Sequence, residues 1–248
     1  MKITVDLRKS VHENAAAYFE EAKKWEKKAE GAKKAIVAFE QKTIQSKPTQ
    51  KQAPAKKTKA KWFQDYHHAT TKNGFLVVAG KNAKQNDELY SKHLKEDDLF
   101  FHADVVGAPT TILKSPGKPA LKEDQEQAAQ IAASYSRAWK QEWHTVDVYA
   151  VKTDQVTKYS QGEYVGKGAF IISGKREWFR NTELKLYLSH HDANVDVHAV
   201  IHTPKPENAV LIQPGRIPKE QAAKTLSKKW RVNEEQLLTV LPGDVARV

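Results

Sequence analysis

Short apolar runs bounded by glycine, proline or charged residues are the feature that most constrains how this chain can fold. The clearest of them, Phe75 to Ala79, lies between Asn73-Gly74 and Gly80. A continuous apolar run of this length is typical of a strand that is buried on both faces of a sheet. The sequence predicts strands near residues 75–79, 99–103, 109–114, 146–151 and 168–172.

Longer segments with helical character separate these runs. Helices fit residues 82–94 and 121–141, and the second has early carboxylates that suit the positive end of a helix dipole. Residues 190–248 alternate like strands and then offer helices at 218–230 and 233–240. The predicted fold class is α+β, a mixed sheet with packed helices, followed by a small C-terminal α/β extension.

A heptad repeat precedes the predicted domain. Such a repeat predicts a long coiled-coil helix, here spanning residues 1–42. The helix either pairs with a second copy, which gives a homodimer through residues 11–39, or folds back on its own domain. The apolar positions of the repeat are Val11, Ala15, Tyr18, Ala22, Trp25, Ala29, Ala32, Ile36 and Phe39.

The basic charge of the chain is concentrated at its N-terminal end. Residues 1–61 carry 16 Lys and Arg against seven Asp and Glu, so they hold +9 of the net charge of +11. Within them, residues 43–61 are lysine-rich, contain two prolines and no acid, and are predicted to be a flexible basic linker. Concentrated positive charge favours polyanions through counterion release, so nucleic acid or the ribosome is the expected partner.

Composition and missing motifs narrow the functional classes. The chain has no cysteine, which excludes disulfides, thiolate nucleophiles and Cys-ligated zinc. No stretch approaches the roughly 18 consecutive apolar residues of a membrane span, and the first residues lack the apolar core of a signal peptide. A cytoplasmic location without a membrane partner is therefore expected. No phosphate-binding P-loop or metalloprotease motif is present, and we expect neither a cofactor nor a metal.

The segment from Lys81 to Asn86 is the first candidate binding motif. Lys84 supplies charge, while the amides of Gln85 and Asn86 can grip a phosphate or a base edge. A helix that begins near Asn82 would also present free backbone N–H groups to an anion. The alternative is structural, since the same amides can cap the helix and tie down the loop and strand of residues 98–104.

A glycine-punctuated segment forms the second candidate. Gly166 and Gly168 permit left-handed backbone, and Lys167 lies between them. Further along, Lys175 and Arg176 add charge and Trp178 offers a stacking face. Arg137, in an otherwise small-residue helix, is expected to reach a phosphate or an internal carboxylate such as Asp104. The predicted nucleic-acid-binding residues are Lys84, Gln85, Asn86, Arg137, Lys167, Lys175, Arg176 and Trp178.

His102 and Asp104 are the best candidates in the sequence for acid/base chemistry. Two positions apart on a strand, they share a face, where a carboxylate can orient an imidazole. Catalysis would still need a nucleophile or a metal, and the sequence has no nucleophile elbow. We therefore expect the pair to complete a hydrogen-bond network or to contact RNA. The spacing of His190, His191, His198 and His202 is not diagnostic of a metal site.

Five motifs follow one another in a specific order and spacing. They are Gly74-Phe-Leu-Val-Val-Ala-Gly80, Lys81-Asn-Ala-Lys-Gln-Asn86, Asp98-Leu-Phe-Phe-His-Ala-Asp104, Ser134-Tyr-Ser-Arg-Ala-Trp139 and Gly162-Glu-Tyr-Val-Gly-Lys-Gly-Ala-Phe170. Together they resemble the NFACT-R domain of the NEMF/fibronectin-binding-A-like family, over about residues 62–188 within a predicted domain of residues 62–189. The chain resembles the short, free-standing members with a coiled coil, and we expect it to come from an archaeon.

The resemblance implies a non-enzymatic RNA-binding module that associates with tRNA and the large ribosomal subunit in ribosome-associated quality control. Large family members carry an N-terminal domain that contributes to adding tails to stalled chains, and the sequence has no room for it. Tail synthesis is therefore not expected of this chain. Two alternatives stay open: an RNA-processing or tRNA-modifying enzyme that uses His102 and Asp104, and a DNA-binding coiled-coil protein.

Overall fold

The computed structural model describes residues 61–160 and 163–248, together with separate positions between residues 10 and 33. The chain divides into two compact units, Met1–Lys59 and Ala60–Val248, and each is described by itself. Among the described residues, no helix is long and apolar enough to cross a membrane.

In the first unit, the described positions from 11 to 33 are helical. The Ser10 carbonyl accepts a hydrogen bond from Asn14 N at 3.0 Å, as expected at the start of a helix. The described seam residues are exposed, with Val11 at 84% and Trp25 at 59%. The last seam positions, Ala32, Ile36 and Phe39, and the linker up to residue 60 lie outside the described residues. Pairing through residues 11–39 stays a prediction.

The second unit is built on a six-stranded sheet, which confirms the α+β class. The six strands of the sheet are β1 (His67–Thr70), β2 (Leu76–Ala79), β3 (Leu99–Ala103), β4 (Thr111–Lys114), β5 (Thr145–Lys152) and β10 (Glu177–Glu183). Their order across the sheet is β1-β2-β4-β3-β5-β10. The short strands β6 (Val156–Thr157), β7 (Tyr159–Ser160), β8 (Glu163–Tyr164) and β9 (Ile171–Ile172) form two small ribbons beside it.

The prediction of a mixed sheet was wrong, because every neighbouring pair in this sheet is antiparallel. A helical crossover does join β4 to β5, which run in the same direction. However, β3 lies between them and runs against both. A crossover produces a parallel pair only when its two strands are neighbours.

Both faces of the sheet are buried, as the apolar run at residues 75–79 predicts. Val77 lies in the core on one face and Val78 in the core on the other. The predicted helix at residues 82–94 forms as α1 (Ala83–Glu88), continued by a π turn from Leu89 to His93. The predicted helix at 121–141 is divided into α2 (Lys122–Ser134) and α3 (Arg137–Lys140). Ser136 causes the division, since its Oγ caps α3 by accepting from Ala138 N at 3.2 Å.

The C-terminal segment adds a second sheet and two helices to the same core. Helices α4 (Lys219–Trp230) and α5 (Glu234–Val240) match the predicted helices. The strands are β11 (Leu186–His191), β12 (Asn194–Ala199), β13 (Val210–Ile212) and β14 (Pro214–Ile217). The domain boundary predicted after residue 189 falls inside β11, and residues from both sides of it, such as Ile131 and Leu226, share one apolar core.

Two strand predictions differ from the structure. In the run predicted at 168–172, only Ile171–Ile172 forms a strand, because Gly168, with a φ of +79°, lies in a turn. The sequence also missed β1 and β10, which lie at the two edges of the sheet. Edge strands are half exposed and mostly polar, so they lack the apolar run by which the central strands are recognised.

Candidate nucleic-acid interface

An open groove of about 830 Å³ lies on the second unit. Its walls come from the β2–α1 connection, the loop after β3, the start of α3, the turn at 167–170, the start of α4 and the end of α5. Neither Asp nor Glu occurs among the described residues that line it. Five cations line it: Lys81, Arg137, Lys140, Lys167 and Lys219.

The first wall is fixed by Gly80 and Asn86. Gly80 N donates to Thr110 O at 3.0 Å, and Thr110 N donates to the Asn86 amide oxygen at 3.1 Å. A Cβ on Gly80 would lie 2.2 Å from that oxygen, so the close approach requires glycine. Asn86 lines the groove but is buried, and its Oδ1 is engaged within the protein. Asn86 therefore has a structural role, as the alternative held, but its partner is Thr110 rather than the predicted residues 98–104.

The neighbouring residues of the same motif also make internal bonds. Asn82 caps α1 by accepting from Gln85 N at 3.0 Å. Gln85 accepts from Lys81 N at 2.9 Å and donates to Asp65 O at 3.2 Å. Lys84 is exposed and does not line the groove. Within this motif, Lys81 is therefore the cation that lines the groove.

The glycine-punctuated turn lies directly on α1 and thereby places Lys167 in the groove. Gly168 N donates to Asp87 Oδ1 at 3.0 Å, and the same carboxylate forms an ion pair with Lys158. A Cβ on Gly168 would lie 2.8 Å from the Ala83 Cβ. Lys167 itself is exposed at the groove wall.

Gly168→Ala is expected to lower the free energy of unfolding by about 1–3 kcal/mol, because the left-handed backbone and the contact with Ala83 both disfavour a side chain. Gly166→Ala is the matched control, since no atom of the described residues lies within 4 Å of a Cβ there. Urea unfolding of the two variants measures the difference. Equal unfolding midpoints would contradict the packing of this turn on α1.

Arg137 begins α3 and lies against the loop after β3. Its Nε would be 3.4 Å from a Cβ placed on Gly107. Its side chain is exposed, and within the described ranges it forms no ion pair with Asp104 or any other carboxylate. The guanidinium is therefore available to an external anion.

The predicted residues near the edge strand β10 form a separate ladder of rings and cations beside the groove. The Arg176 guanidinium lies 4.7 Å from the centre of the Tyr149 ring, and Tyr149 lines the groove. Trp178 contacts Tyr149 edge to face at 5.4 Å, and Arg180 lies over the Trp178 ring at 4.0 Å. Lys175 is exposed, and its carbonyl accepts from Gln155 Nε2 at 2.9 Å.

His102 lines the groove and is half-buried. Burial lowers the pKa of His102, while hydrogen bonds to the backbone and the charge of Asp104 act in the opposite direction. Asp104 is exposed, and in the described part of the chain no hydrogen bond joins its carboxylate to the His102 ring. His102 is therefore a neutral imidazole near pH 7 that is not oriented by Asp104.

The C-terminal histidines make separate contacts with different residues. His198 bonds Ser189 Oγ at 2.8 Å, His202 pairs with Glu126, and His190 stacks on Trp230. Across residues 61–160, 163–248 and the described helix positions, no group of three or more His, Cys, Asp or Glu is arranged to hold a metal ion.

Of the predicted binding residues, the structure brings Asn86, Arg137 and Lys167 together in the groove, which His102 also lines. Lys84, Gln85, Lys175, Arg176 and Trp178 do not line it. Sequence reasoning missed Lys81, Lys140 and Lys219. Lys81 was within a recognised motif, but Lys140 and Lys219 carry no local signal that separates them from other surface lysines.

A family profile described as "NFACT protein RNA binding domain" matches residues 59–174. The archaeal Rqc2 homolog aRqcH of Methanocaldococcus jannaschii is 38% identical over 191 residues, which cover 73% of this chain and 28% of that protein. The human ribosome quality control complex subunit NEMF is 31% identical over 184 residues, which cover 71% of this chain and 17% of that protein. Residues 59–174 are an NFACT-R domain.

The NFACT-R chain spans less than a third of the length of these curated relatives. The C-terminal part of the fibronectin/fibrinogen-binding protein from Streptococcus suis is a solved structure that aligns with a TM-score of 0.41 and 21% identity. That alignment covers 69% of this chain and 76% of the other. Most of the groove lies within the matched NFACT-R segment, whereas Lys219 and residues 238–242 lie beyond it.

Proposed function

We propose that this chain binds RNA through the cationic groove and acts in ribosome-associated quality control, with tRNA and the large ribosomal subunit as its partners in the cytoplasm. The observation that carries the proposal is the groove lining, which has five cations and no acid among its described residues. A site of this kind attracts a polyanion, because its cations release counterions from the phosphates that they contact. The description of the matching family profile agrees with this chemistry.

The names of the relatives suggest the cellular setting. The human and the fission-yeast proteins are both named as ribosome quality control complex subunits. A second copy of the chain, paired through residues 11–39, would present two grooves to one ribosome. Light scattering of the full chain at micromolar concentration checks this pairing.

The test is a salt titration of binding to a structured RNA, followed by fluorescence anisotropy. Each phosphate contact is expected to contribute about −0.7 to −0.9 to the slope of log affinity against log salt. Between about 50 and 200 mM salt, several contacts should therefore weaken binding by a large factor. Affinity that does not change with salt would contradict the proposal. A duplex DNA of matching sequence is the control, and preference for it would identify a DNA-binding protein instead.

A further inference from the structure

Two lysines that line the groove, Lys81 and Lys219, are partly buried, and no described residue pairs with their ammonium groups. Lys81 follows β2, and Lys219 is the first residue of α4. Within the described part of the chain, neither ammonium group forms an ion pair or a hydrogen bond. A buried charge is unfavourable unless another group compensates it. The protein therefore leaves two partly buried cations lining the same groove.

The groups around these lysines do not neutralise them. Burial lowers the pKa of Lys219, the positive charges of Lys140 and Lys81 lower it further, and Glu220 and Asp244 oppose the shift. Burial also lowers the pKa of Lys81, against the effect of Asp65. The Asp244 carboxylate is already engaged, because it accepts from the backbone Lys219 N at 2.9 Å. None of these three acids lines the groove.

An uncharged ring pair forms the floor of this end of the groove. His67 stacks on Tyr135 with ring centres 3.8 Å apart. Burial lowers the pKa of His67 well below its ordinary value, and Lys81 and Lys219 add to the effect. Its Nδ1 is buried, and no described residue forms a hydrogen bond with it. Tyr135 OH donates to Val240 O at 2.7 Å, which holds the end of α5 against this floor.

We propose that Lys81 and Lys219 form a phosphate subsite that takes a phosphodiester of the bound RNA, an inference that rests on the proposed function. A phosphodiester has two non-bridging oxygens, so it can accept a hydrogen bond from each ammonium group. Its ester oxygens remain free to continue the strand along the groove, where Arg137 and Lys167 provide further cations. An isolated carboxylate of an acidic peptide would not match this succession of charges.

The subsite is composite, because its two cations come from different parts of the chain. Lys81 lies within the segment matched by the RNA-binding family profile, and Lys219 lies beyond it. Asp244 fixes the start of α4 against the rest of the domain. Its carboxylate accepts from Lys219 N at 2.9 Å, and its backbone carbonyl accepts from Trp139 Nε1 at 2.8 Å. The C-terminal segment thus contributes directly to RNA affinity and does not only complete the apolar core.

The test compares Lys219→Gln and Lys81→Gln with Lys224→Gln, which removes an exposed charge from the same helix α4 outside the groove. The probe is a single-stranded RNA oligonucleotide, and the protein is the full chain. Each groove variant is expected to weaken binding roughly tenfold and to make the salt slope less negative by about 0.7–0.9. Lys224→Gln should stay within about twofold of the unaltered chain.

Two further measurements keep the result interpretable. Lys219→Arg preserves the charge and should retain affinity to within roughly threefold, which separates loss of charge from loss of folding. Amine-directed labelling of the unaltered chain should modify Lys81 and Lys219, and the RNA should protect both. Protection by polyglutamate, but not by RNA, would overturn the inference in favour of an acidic peptide.

The failures of the inference and of the proposed function are distinguishable. If the unaltered chain binds RNA with strong salt dependence but Lys219→Gln behaves like Lys224→Gln, the phosphate subsite is wrong and the proposed function stands. If the unaltered chain does not bind RNA, the proposed function is wrong and the subsite falls with it.

Discussion

Replacing Arg137 and Lys167 together by glutamine is expected to weaken RNA binding roughly a hundredfold. Both side chains line the groove, are exposed, and form no ion pair with a described carboxylate. A hydrogen bond to a charged group contributes about 1.5–3 kcal/mol, which corresponds to roughly tenfold or more for each contact. Fluorescence anisotropy with a structured RNA at fixed salt measures the change.

The matched control removes the same charge from outside the groove. Lys205→Gln combined with Lys224→Gln replaces two exposed lysines that do not line it. All these proteins keep the basic residues 1–61, so the difference between them reports the groove alone. If the control pair weakened binding as much as the groove pair, affinity would depend on net charge and the groove would not be the RNA site.

Asp98→Ala is expected to lower the free energy of unfolding by about 3–5 kcal/mol. Asp98 is only 2% exposed and pairs with Lys114, whose side chain is 18% exposed. Its carboxylate also accepts from Lys95 N at 2.8 Å and from Ser115 N at 3.1 Å. Alanine would leave two backbone donors without their acceptor and a partly buried ammonium group with only the His93 carbonyl, at 2.7 Å, and no counter-ion. That loss is costlier than losing the pair's own attraction.

Urea unfolding measures this loss, with Asp97→Ala as the neighbouring control. Asp97 is exposed, and its carboxylate reaches only Gly117 N at 3.5 Å. The control should therefore change the free energy of unfolding by less than about 1 kcal/mol. Similar unfolding midpoints for the two variants would contradict the role of Asp98 as the polar anchor of the loop between α1 and β3.

Local sequence patterns were sufficient for most of the central elements of the fold. The apolar run at 75–79 predicted a strand buried on both faces, and Val77 and Val78 do enter opposite cores. Gly168 was predicted to permit left-handed backbone, and its φ of +79° confirms a conformation that only glycine adopts readily. These features depend on residues that are neighbours in the chain.

The site was predicted less completely, because short motifs do not show which groups are already satisfied. The amides of Gln85 and Asn86 suit a ligand in sequence, but the fold uses them to bond Lys81 N, Asp65 O and Thr110 N. Trp178 suits base stacking, but Arg180 covers its ring. A hydrogen-bonding group becomes a binding group only when no internal partner takes it.

By itself, the sequence determined the α+β class, the heptad of the N-terminal helix, the family, and the cationic character of Arg137 and Lys167. Only the tertiary structure decided the antiparallel order of the sheet, since a strand can be inserted between two others without leaving a local trace. The tertiary structure also decided which lysines line the groove. Lys81 and Lys219 are far apart in sequence, and burial beside the same floor, an effect of packing across the whole domain, makes them a pair.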